Sequence, residues 1–414
     1  MRVIHLNYSD INGGAARAAY RIHNCLRVAG VDSTMWVNKA TGGDWTVEGP
    51  TSKKEKLSVA LRSQIGGQIR RVLKTGNPII HSPAILSSQW VKRINESDAD
   101  VVNLHWVQGE MLSIADIGRI KKPIVWTLHD MWAFCGAEHY TEDHRWRDGY
   151  TRNNRPNYES GFDLNRWVWG RKKKHWTRPM HIVTPSNWLA DCARRSDLMR
   201  DWPVSAVPYP IATDRWRPID QGYARELLGL PVDRPLLLFG AMGGGRDPRK
   251  GFDLLVDALA YLKGQIQGLE LVVFGQLEPK SKPDLGFPIH YLGHLYDDVS
   301  LRLLYSAADV FVLPSRQDNL PLTCMESLSC GTPVVAFNAS GAPSMIEHEK
   351  TGFLAEAFNS EDFARGIAYL IRHPDRCSLR GTVRKYAEVN FDPTTIAEKY
   401  LEIYSNVLDE SRVE

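Results

Sequence analysis

Apolar residues along this chain fall into two alternating patterns. Short runs rich in Val, Ile, Leu and Phe predict buried strands at 2–7, 33–37, 101–106, 124–129 and 181–185, and again at 236–240, 269–275, 289–292, 310–313 and 332–337. Between them, apolar positions recur at helical spacing, as over 13–29, which ends at Gly30. Strands separated by helices build parallel sheets from βαβ units. Two such series predict two Rossmann-like domains facing across a cleft, an α/β fold. The junction is expected at Val207-Pro-Tyr-Pro-Ile211, where two prolines interrupt regular structure. The expected division is therefore 1–208 and 209–392, followed by a last stretch, 393–414. Within that stretch 394–408 is amphipathic and reads as a helix.

A length of 414 residues suits two domains better than one core, and a hydrophobic content of 43% is that of a globular protein. No run of 18 apolar residues predicts a membrane span. The first residues enter a strand directly, without the pattern of a secretory leader. Six scattered cysteines form no C-x-x-C pair and read as reduced thiols, with neither a disulfide frame nor a metal site. These features predict a cytoplasmic protein.

The net charge of +3 conceals a division. Residues 1–200 hold 30 Lys and Arg against 19 Asp and Glu, whereas residues 201–414 hold 21 against 29. All thirteen Trp lie at or before Trp216. A basic, Trp-rich half suits anionic headgroups, lipid-linked phosphates or sugars stacked on indole. No nucleic-acid motif accompanies the charge, and the acidic second half argues against such a partner.

The most specific chemistry lies between two predicted strands of the second half. Asp318 sits in a loop at the C-terminal end of strand 310–313, and Glu326 follows eight positions later within a helix. That edge of an open α/β sheet is where ligands bind, and carboxylates accept hydrogen bonds from vicinal hydroxyls. Asp318 or Asn319 could also cap the helix, with Pro321 in its first turn. Glu326, set among Leu322, Met325 and Leu328, is better explained by a ligand than by a structural ion pair.

This stretch resembles the acid-x7-acid signature of family-4 retaining glycosyltransferases of GT-B fold. Its Gln-Asp-Asn-Leu-Pro wording resembles bacterial members that build exopolysaccharide, colanic-acid-type polymer or O-antigen. Most members have Glu where Asp318 stands. The resemblance implies a nucleotide-diphosphate sugar donor, GDP- or UDP-linked, a lipid-linked or growing saccharide acceptor, and no required cofactor or metal. It also implies that Glu326 holds the ribose, that Asp318 with the amides of Asn319 and Leu320 holds the sugar, and that 393–414 crosses back to the first domain.

Further residues follow the same two lines. Gly240-Ala-Met-Gly-Gly-Gly-Arg246-Asp-Pro-Arg249-Lys250-Gly251 leaves the first strand of the second half. Glycines such as Gly244 let amides approach phosphate, while Arg246 and Lys250 neutralise it. The resemblance assigns the diphosphate to Lys250, with Arg246 beside it. Gly13 and Gly14 open a helix whose N-terminus suits a phosphate, and the resemblance lines the cleft with them. It also places His129 against the donor sugar, and His105 is a second candidate.

Residues 134–176 read as an irregular, aromatic and basic insertion (about 131–178 at its widest), with Trp167 and Trp169 as acceptor contacts. Residues 53–74 carry Leu57, Leu61, Ile65, Ile69, Val72 and Leu73 among seven Lys and Arg, a pattern fitting a basic helix on an anionic membrane surface at the inner face of the cytoplasmic membrane. Gly66-Gly67 interrupts it, and an ordinary covering helix fits as well. Two other functions share these features: a sugar-nucleotide epimerase or hydrolase, and a non-catalytic saccharide-binding partner.

Overall fold

The computed structural model describes residues 1–240, 247–281, 283–295 and 297–413. The chain separates into two compact units, Met1–Pro210 with Pro393–Glu414, and Ile211–Asp392.

Unit 1 runs β1 (Arg2–Ser9), α1 (Gly14–Val28), β2 (Asp32–Lys39), β3 (Val47–Glu48), α2 (Lys53–Ile69), β4 (Leu73–Thr75), α3 (Trp90–Glu96), β5 (Val101–Leu104), α4 (Ile114–Ile117), β6 (Ile124–Thr127), α5 (Arg145–Asp148), β7 (Glu159–Gly161), α6 (Leu164–His175), β8 (His181–Thr184), α7 (Asn187–Arg195) and β9 (Val204–Ala206). Among the described residues its main sheet has the parallel order β3-β2-β1-β5-β6-β8-β9, and β4 pairs antiparallel with β7 apart from it. Every residue of β5 and β6 is buried, as expected of parallel strands covered on both faces.

Unit 2 runs α8 (Gln221–Leu228), β10 (Leu236–Gly240), α9 (Phe252–Leu262), β11 (Glu270–Phe274), β12 (Ile289–Tyr291), α10 (Asp298–Ala307), β13 (Val310–Leu313), α11 (Leu322–Ser329), β14 (Val334–Phe337), β15 (Gly352–Ala355), α12 (Ser360–Ile371) and α13 (Arg376–Asn390). Its parallel sheet has the order β12-β11-β10-β13-β14-β15. In each unit the strand order reverses beside the first strand, at β1/β5 and at β10/β13. Ligands of doubly wound sheets bind at that reversal.

The last helix, α14 (Pro393–Val413), belongs to unit 1. Tyr400 and Tyr404 are wholly buried, and each phenol finds a polar partner. Tyr404 donates to Asn103 at 2.7 Å, and Tyr400 pairs with Thr127 at 3.2 Å. Buried phenols need such partners, so these bonds fix where the helix docks.

The structure corrects the reading of 134–176. The segment contains two helices and a strand, and much of it is core: Phe134, Cys135, Trp146, Tyr150, Leu164, Val168 and Trp176 are buried. Within its basic run, Lys172 is wholly buried. Its ammonium donates to the carbonyls of Trp132, Cys135 and Gly136 and lies over the Trp132 ring. Burial lowers its pKa to about 7. Charge counting along the sequence gives Lys172 to solvent, whereas it closes a turn of the core.

Unit 2 is tied at the entry to β13 by a buried ion pair. Asp309 accepts from Arg225 at 2.8 Å and from the Leu236 amide at 2.7 Å, and Arg376 reaches its other oxygen at 3.2 Å. Arg225 spends its remaining donors on the carbonyls of Ala307, Val232 and Arg234. Removing one partner strands a buried charge. Asp309→Ala is expected to lower the stability of unit 2 by about 3–5 kcal/mol, read as a shift of its denaturant midpoint with the slope unchanged.

Candidate functional site

In unit 2 the polar groups gather on the loops that leave the C-terminal edge of the sheet. Asp247–Gly251 leads into α9, and Pro314–Pro321 leads from β13 into α11. Two glycines bring the loops together. Gly251 has φ +63°, and a Cβ there would overlap the Pro314 carbonyl oxygen. Gly341 lies against Asn319 so closely that a Cβ would overlap the Asn319 carbonyl. Its amide donates to the Asp318 carbonyl at 2.9 Å. Arg316 ties the same loops. Its amide donates to the Arg249 carbonyl at 2.7 Å, and its guanidinium pairs with both carboxylate oxygens of Asp253.

Held this way, Lys250 meets Asp318 at 2.5 Å. The lysine is half exposed and the aspartate mostly covered. The Asp318 amide donates to Ser340 Oγ at 3.1 Å, and the other Asp318 oxygen accepts from the Asn319 amide at 3.1 Å. Asp318 is therefore not the cap of α11. Pro321 occupies the capping position, and no side chain bonds the helix end. Glu326 is buried and accepts from the Tyr305 phenol at 3.3 Å, with Cys324, Met325 and Leu328 buried around it. Asn319 and Leu320 are also buried. Gly244 and Arg246 lie outside the described residues.

In unit 1, Gly13 caps α1 without a side-chain bond, and among the described residues neither Gly13 nor Gly14 has a neighbour where a Cβ would stand. No acidic residue stands in the first turn. The N-terminal amides of this 15-residue helix are therefore not capped by a side chain of Gly13 or by a first-turn acid. Asp10 holds the approach to that turn. Its carboxylate accepts from the amides of Thr41 and Gly42, both at 2.6 Å, and of Ile11 at 2.9 Å. Burial pushes its pKa up, but the Gly42 and Thr41 hydrogen bonds outweigh burial and hold it below the usual value. Nothing in the motif around Gly13 singles out Asp10. The signal available was an acid at the very end of an apolar strand.

His105 and His129 follow β5 and β6. His105 Nδ1 meets His129 Nε2 at 3.0 Å, and His129 Nδ1 meets the Tyr209 hydroxyl at 2.6 Å. Behind them His5 Nδ1 meets His105 Nε2 at 2.9 Å. Burial is the main reason these rings stay neutral: it lowers His129 to about 4 and holds His5 and His105 well below the ordinary histidine value. Asp130 pulls His129 the other way.

Asp130 belongs to a second network. It accepts from His139 Nδ1 at 2.6 Å and from Trp106 Nε1 at 3.1 Å, and His139 Nε2 meets Ser82 Oγ at 2.8 Å. The order is that of a Ser-His-Asp relay. Ser82, His139 and Asp130 are all buried, so the network acts as a strut that fixes the loop after β6.

Trp167 and Trp169, two positions apart on α6, point to different surroundings. Trp167 is exposed beside Phe162 and under the Arg171 guanidinium, whereas Trp169 packs on the core next to Tyr150. The structure does not bring them into one surface.

The buried histidines set an acid limit. His23, wholly buried between Ser33 and Thr46, is lowered to about 4, chiefly by burial. An unfolded chain binds a proton at His23 near pH 6.5, whereas the folded unit does so only near pH 4. Stability is therefore full above 6.5 and lost as pH falls between these values. The melting temperature of unit 1 is expected to be level above pH 6.5 and to decline below it, with a shallower decline in His23→Gln.

Residues 12–215 match the family described as Glycosyltransferase Family 4, and residues 229–389 match Glycosyl transferases group 1. The chain is 30% identical over 226 residues to D-inositol 3-phosphate glycosyltransferase of Saccharomonospora viridis, covering 50% of each chain. It is 30% identical over 212 residues to a GDP-mannose-dependent alpha-(1-6)-phosphatidylinositol monomannoside mannosyltransferase of Mycobacterium tuberculosis, covering 47% of this chain and 53% of that one. The chain spans about half the length of the curated relatives it matches. Among solved structures it is similar to sucrose-phosphate synthase of Thermosynechococcus elongatus (TM-score 0.66, 17% identity, 99% of this chain and 100% of that one). It is also similar to WaaG, a glycosyltransferase involved in lipopolysaccharide biosynthesis (TM-score 0.63, 19% identity, 97% and 99%). Two doubly wound units, each matched by its own glycosyltransferase domain, place this chain among the glycosyltransferases of GT-B fold.

Proposed function

We propose that this protein is a retaining glycosyltransferase, moving a hexose-type sugar from a GDP- or UDP-linked donor to a lipid-linked or growing saccharide in bacterial surface polysaccharide synthesis. The observation that carries this reading is the Lys250–Asp318 contact, held at the sheet edge by Gly251 and Gly341. An ammonium has three donors. Asp318 takes one and fixes the direction of the other two, which are available to a diphosphate. Charge that develops on a leaving phosphate is stabilised most by donors already in place. Glu326 is assigned to the ribose hydroxyls, Asp318 with Asn319 and Leu320 to the sugar, and His129 to the sugar as a neutral imidazole. Gly13 and Gly14 offer helix-end amides to a phosphate oxygen. Support for the donor class comes from a GDP-mannose-dependent relative and from HepE of Anabaena, a fold neighbour crystallised with UDP-glucose.

Thermal stabilisation by a panel of nucleoside diphosphates tests the donor site. One diphosphate is expected to raise the melting temperature selectively, and the shift is expected to disappear in Lys250→Ala. Turnover in Lys250→Ala is expected to fall on the order of a hundred- to a thousandfold with the fold intact. Turnover of donor without acceptor would favour an epimerase or hydrolase, and glycan binding without donor turnover a non-catalytic partner.

The acceptor is proposed to be reached at an anionic membrane surface. No helix among the described residues is long and apolar enough to cross a membrane. On α2, Leu57, Leu61 and Ile65 form a stripe at four-residue spacing and are 61%, 48% and 46% exposed. The helix is attached by its other side. Arg62 donates to the carbonyls of Glu110, Leu86 and Ser87, and Gly66 lies against the Glu110 side chain. At the end of the stripe Val72, Phe162 and Trp167 are exposed, and the Phe162 amide bonds the Val72 carbonyl. Lys53 and Lys54 precede the stripe and Arg70, Arg71 and Lys74 follow it. Exposed leucines flanked by cations suit anionic headgroups. Vesicle flotation is expected to show binding with anionic lipid. Leu61→Glu with Ile65→Glu is expected to weaken it at least about tenfold without changing the melting temperature. Equal binding by the double variant removes this surface from the proposal.

A further inference from the structure

Four aromatic rings form one continuous bonded stack in unit 1. The centroids of His5, His105, His129 and Tyr209 are separated by 5.2, 5.3 and 5.5 Å, with interplanar angles of 22°, 28° and 25°. Each step is also a hydrogen bond, at 2.9, 3.0 and 2.6 Å. The rings come from four separate segments: β1, the loops after β5 and β6, and the stretch after β9.

Neutral imidazole has one N–H and one bare nitrogen. In a chain of N–H···N bonds every ring must donate in the same direction, so the array has only two arrangements. If bonds run inward, Tyr209 donates to His129 Nδ1, His129 Nε2–H to His105, and His105 Nε2–H to His5. His5 then keeps an N–H at Nε2. If bonds run outward, His129 donates from Nδ1 to the Tyr209 oxygen, and His5 Nε2 keeps only a lone pair.

The ends disagree. A phenol is a better donor than an imidazole N–H, and an imidazole nitrogen a better acceptor than a phenol oxygen, so the short contact to Tyr209 favours the inward arrangement. His5 Nε2 is buried with no hydrogen-bond partner, and a hydrogen placed there is left unsatisfied, a cost the outward arrangement avoids. We infer that the Tyr209 hydroxyl decides between them and holds His129 as the Nε2–H tautomer, making Tyr209 a positioning residue for the imidazole assigned to the sugar. The tautomer follows from the array alone. The consequence for transfer rests on the proposed glycosyltransferase reading.

Two titratable groups that face the stack are His23 at the His5 end, with ring centroids 5.7 Å apart, and Asp130 at the His129 end. Asp130 is engaged by His139, Trp106 and Trp132. Those bonds turn Asp130 to other partners, and Tyr209, which bonds His129 directly, is the group to change.

Long-range 1H–15N spectra of 15N-histidine-labelled full-length protein read each tautomer directly, without a ligand. In the wild type, His5, His105 and His129 are expected to carry the proton on Nε2. In Tyr209→Phe, His129 is expected to change to Nδ1–H or to a mixture, because the phenol that donates to Nδ1 is gone. A wild-type His129 protonated on Nδ1 overturns the inference, as does an unchanged tautomer in a folded Tyr209→Phe. The wild-type spectrum decides even if the variant does not fold. In transfer assays kcat is expected to fall on the order of ten- to a hundredfold with donor KM nearly unchanged. An altered tautomer with no change in kcat removes the positioning role. Absence of transfer by the wild type defeats the glycosyltransferase reading and leaves the tautomer result standing.

Discussion

A parallel sheet covered by helices on both faces leaves its polar chemistry nowhere to go but the strand ends. Inside, β5, β6, β13 and β14 are buried at every residue, and an unpaired polar group there would be costly. At the C-terminal edge the chain turns, exposes amides, and can carry charge near water. Each unit meets this constraint at its own reversal of strand order. Unit 1 places a helix end at Gly13 and the His105 imidazole there, with His129 one strand further on, and unit 2 places Lys250 and Asp318. The chemistry of both halves follows from that geometry.

The units solve the electrostatic problem differently. In unit 2 the pair is partly exposed, and a lysine and an aspartate meet beside solvent. In unit 1 the polar residues lie deeper, and an ion there would lose its hydration. Three of them are neutral imidazoles bonded in series to one another. A charged group survives only where donors converge on it, as at Asp10 and Asp130. Neutral rings bonded in series have a direction, and direction can be set from one end. That property is absent from a salt bridge.

Local periodicity carried most of the fold. The strands read from apolar runs reappear with ends shifted by a residue or two: the run 124–129 ends as a strand at Thr127, and 101–106 at Leu104. Those shifts matter, because they move His129 and His105 from strand to loop. Motif spacing marked Lys250, Asp318 and Glu326, and the glycines of that loop read as room for a phosphate, whereas Gly251 makes a close approach to backbone. The partner at that approach, the Pro314 carbonyl, is sixty-odd residues away and was not legible. Asp10, His5, His139 and Tyr209 were missed for one reason. Each acts through contacts between segments far apart in sequence, and nothing local distinguishes a strand histidine that bonds another histidine from one that fills a core.

Helix α2 shows why a correct pattern can still mislead. Its apolar residues recur at helical spacing, and the usual inference is that such a stripe faces the core. Here the attachment is polar, made by Arg62 on loop carbonyls and by the close fit of Gly66 against Glu110. The glycine that interrupts the stripe in sequence is the residue that lets the other face approach. Leucines on the outer face gain little from folding, and burying them against a partner would be favourable. The cations around them are what makes an anionic surface, rather than an apolar protein groove, the partner proposed for this helix. An exposed stripe of this kind is evidence of a partner because the fold itself leaves it uncovered.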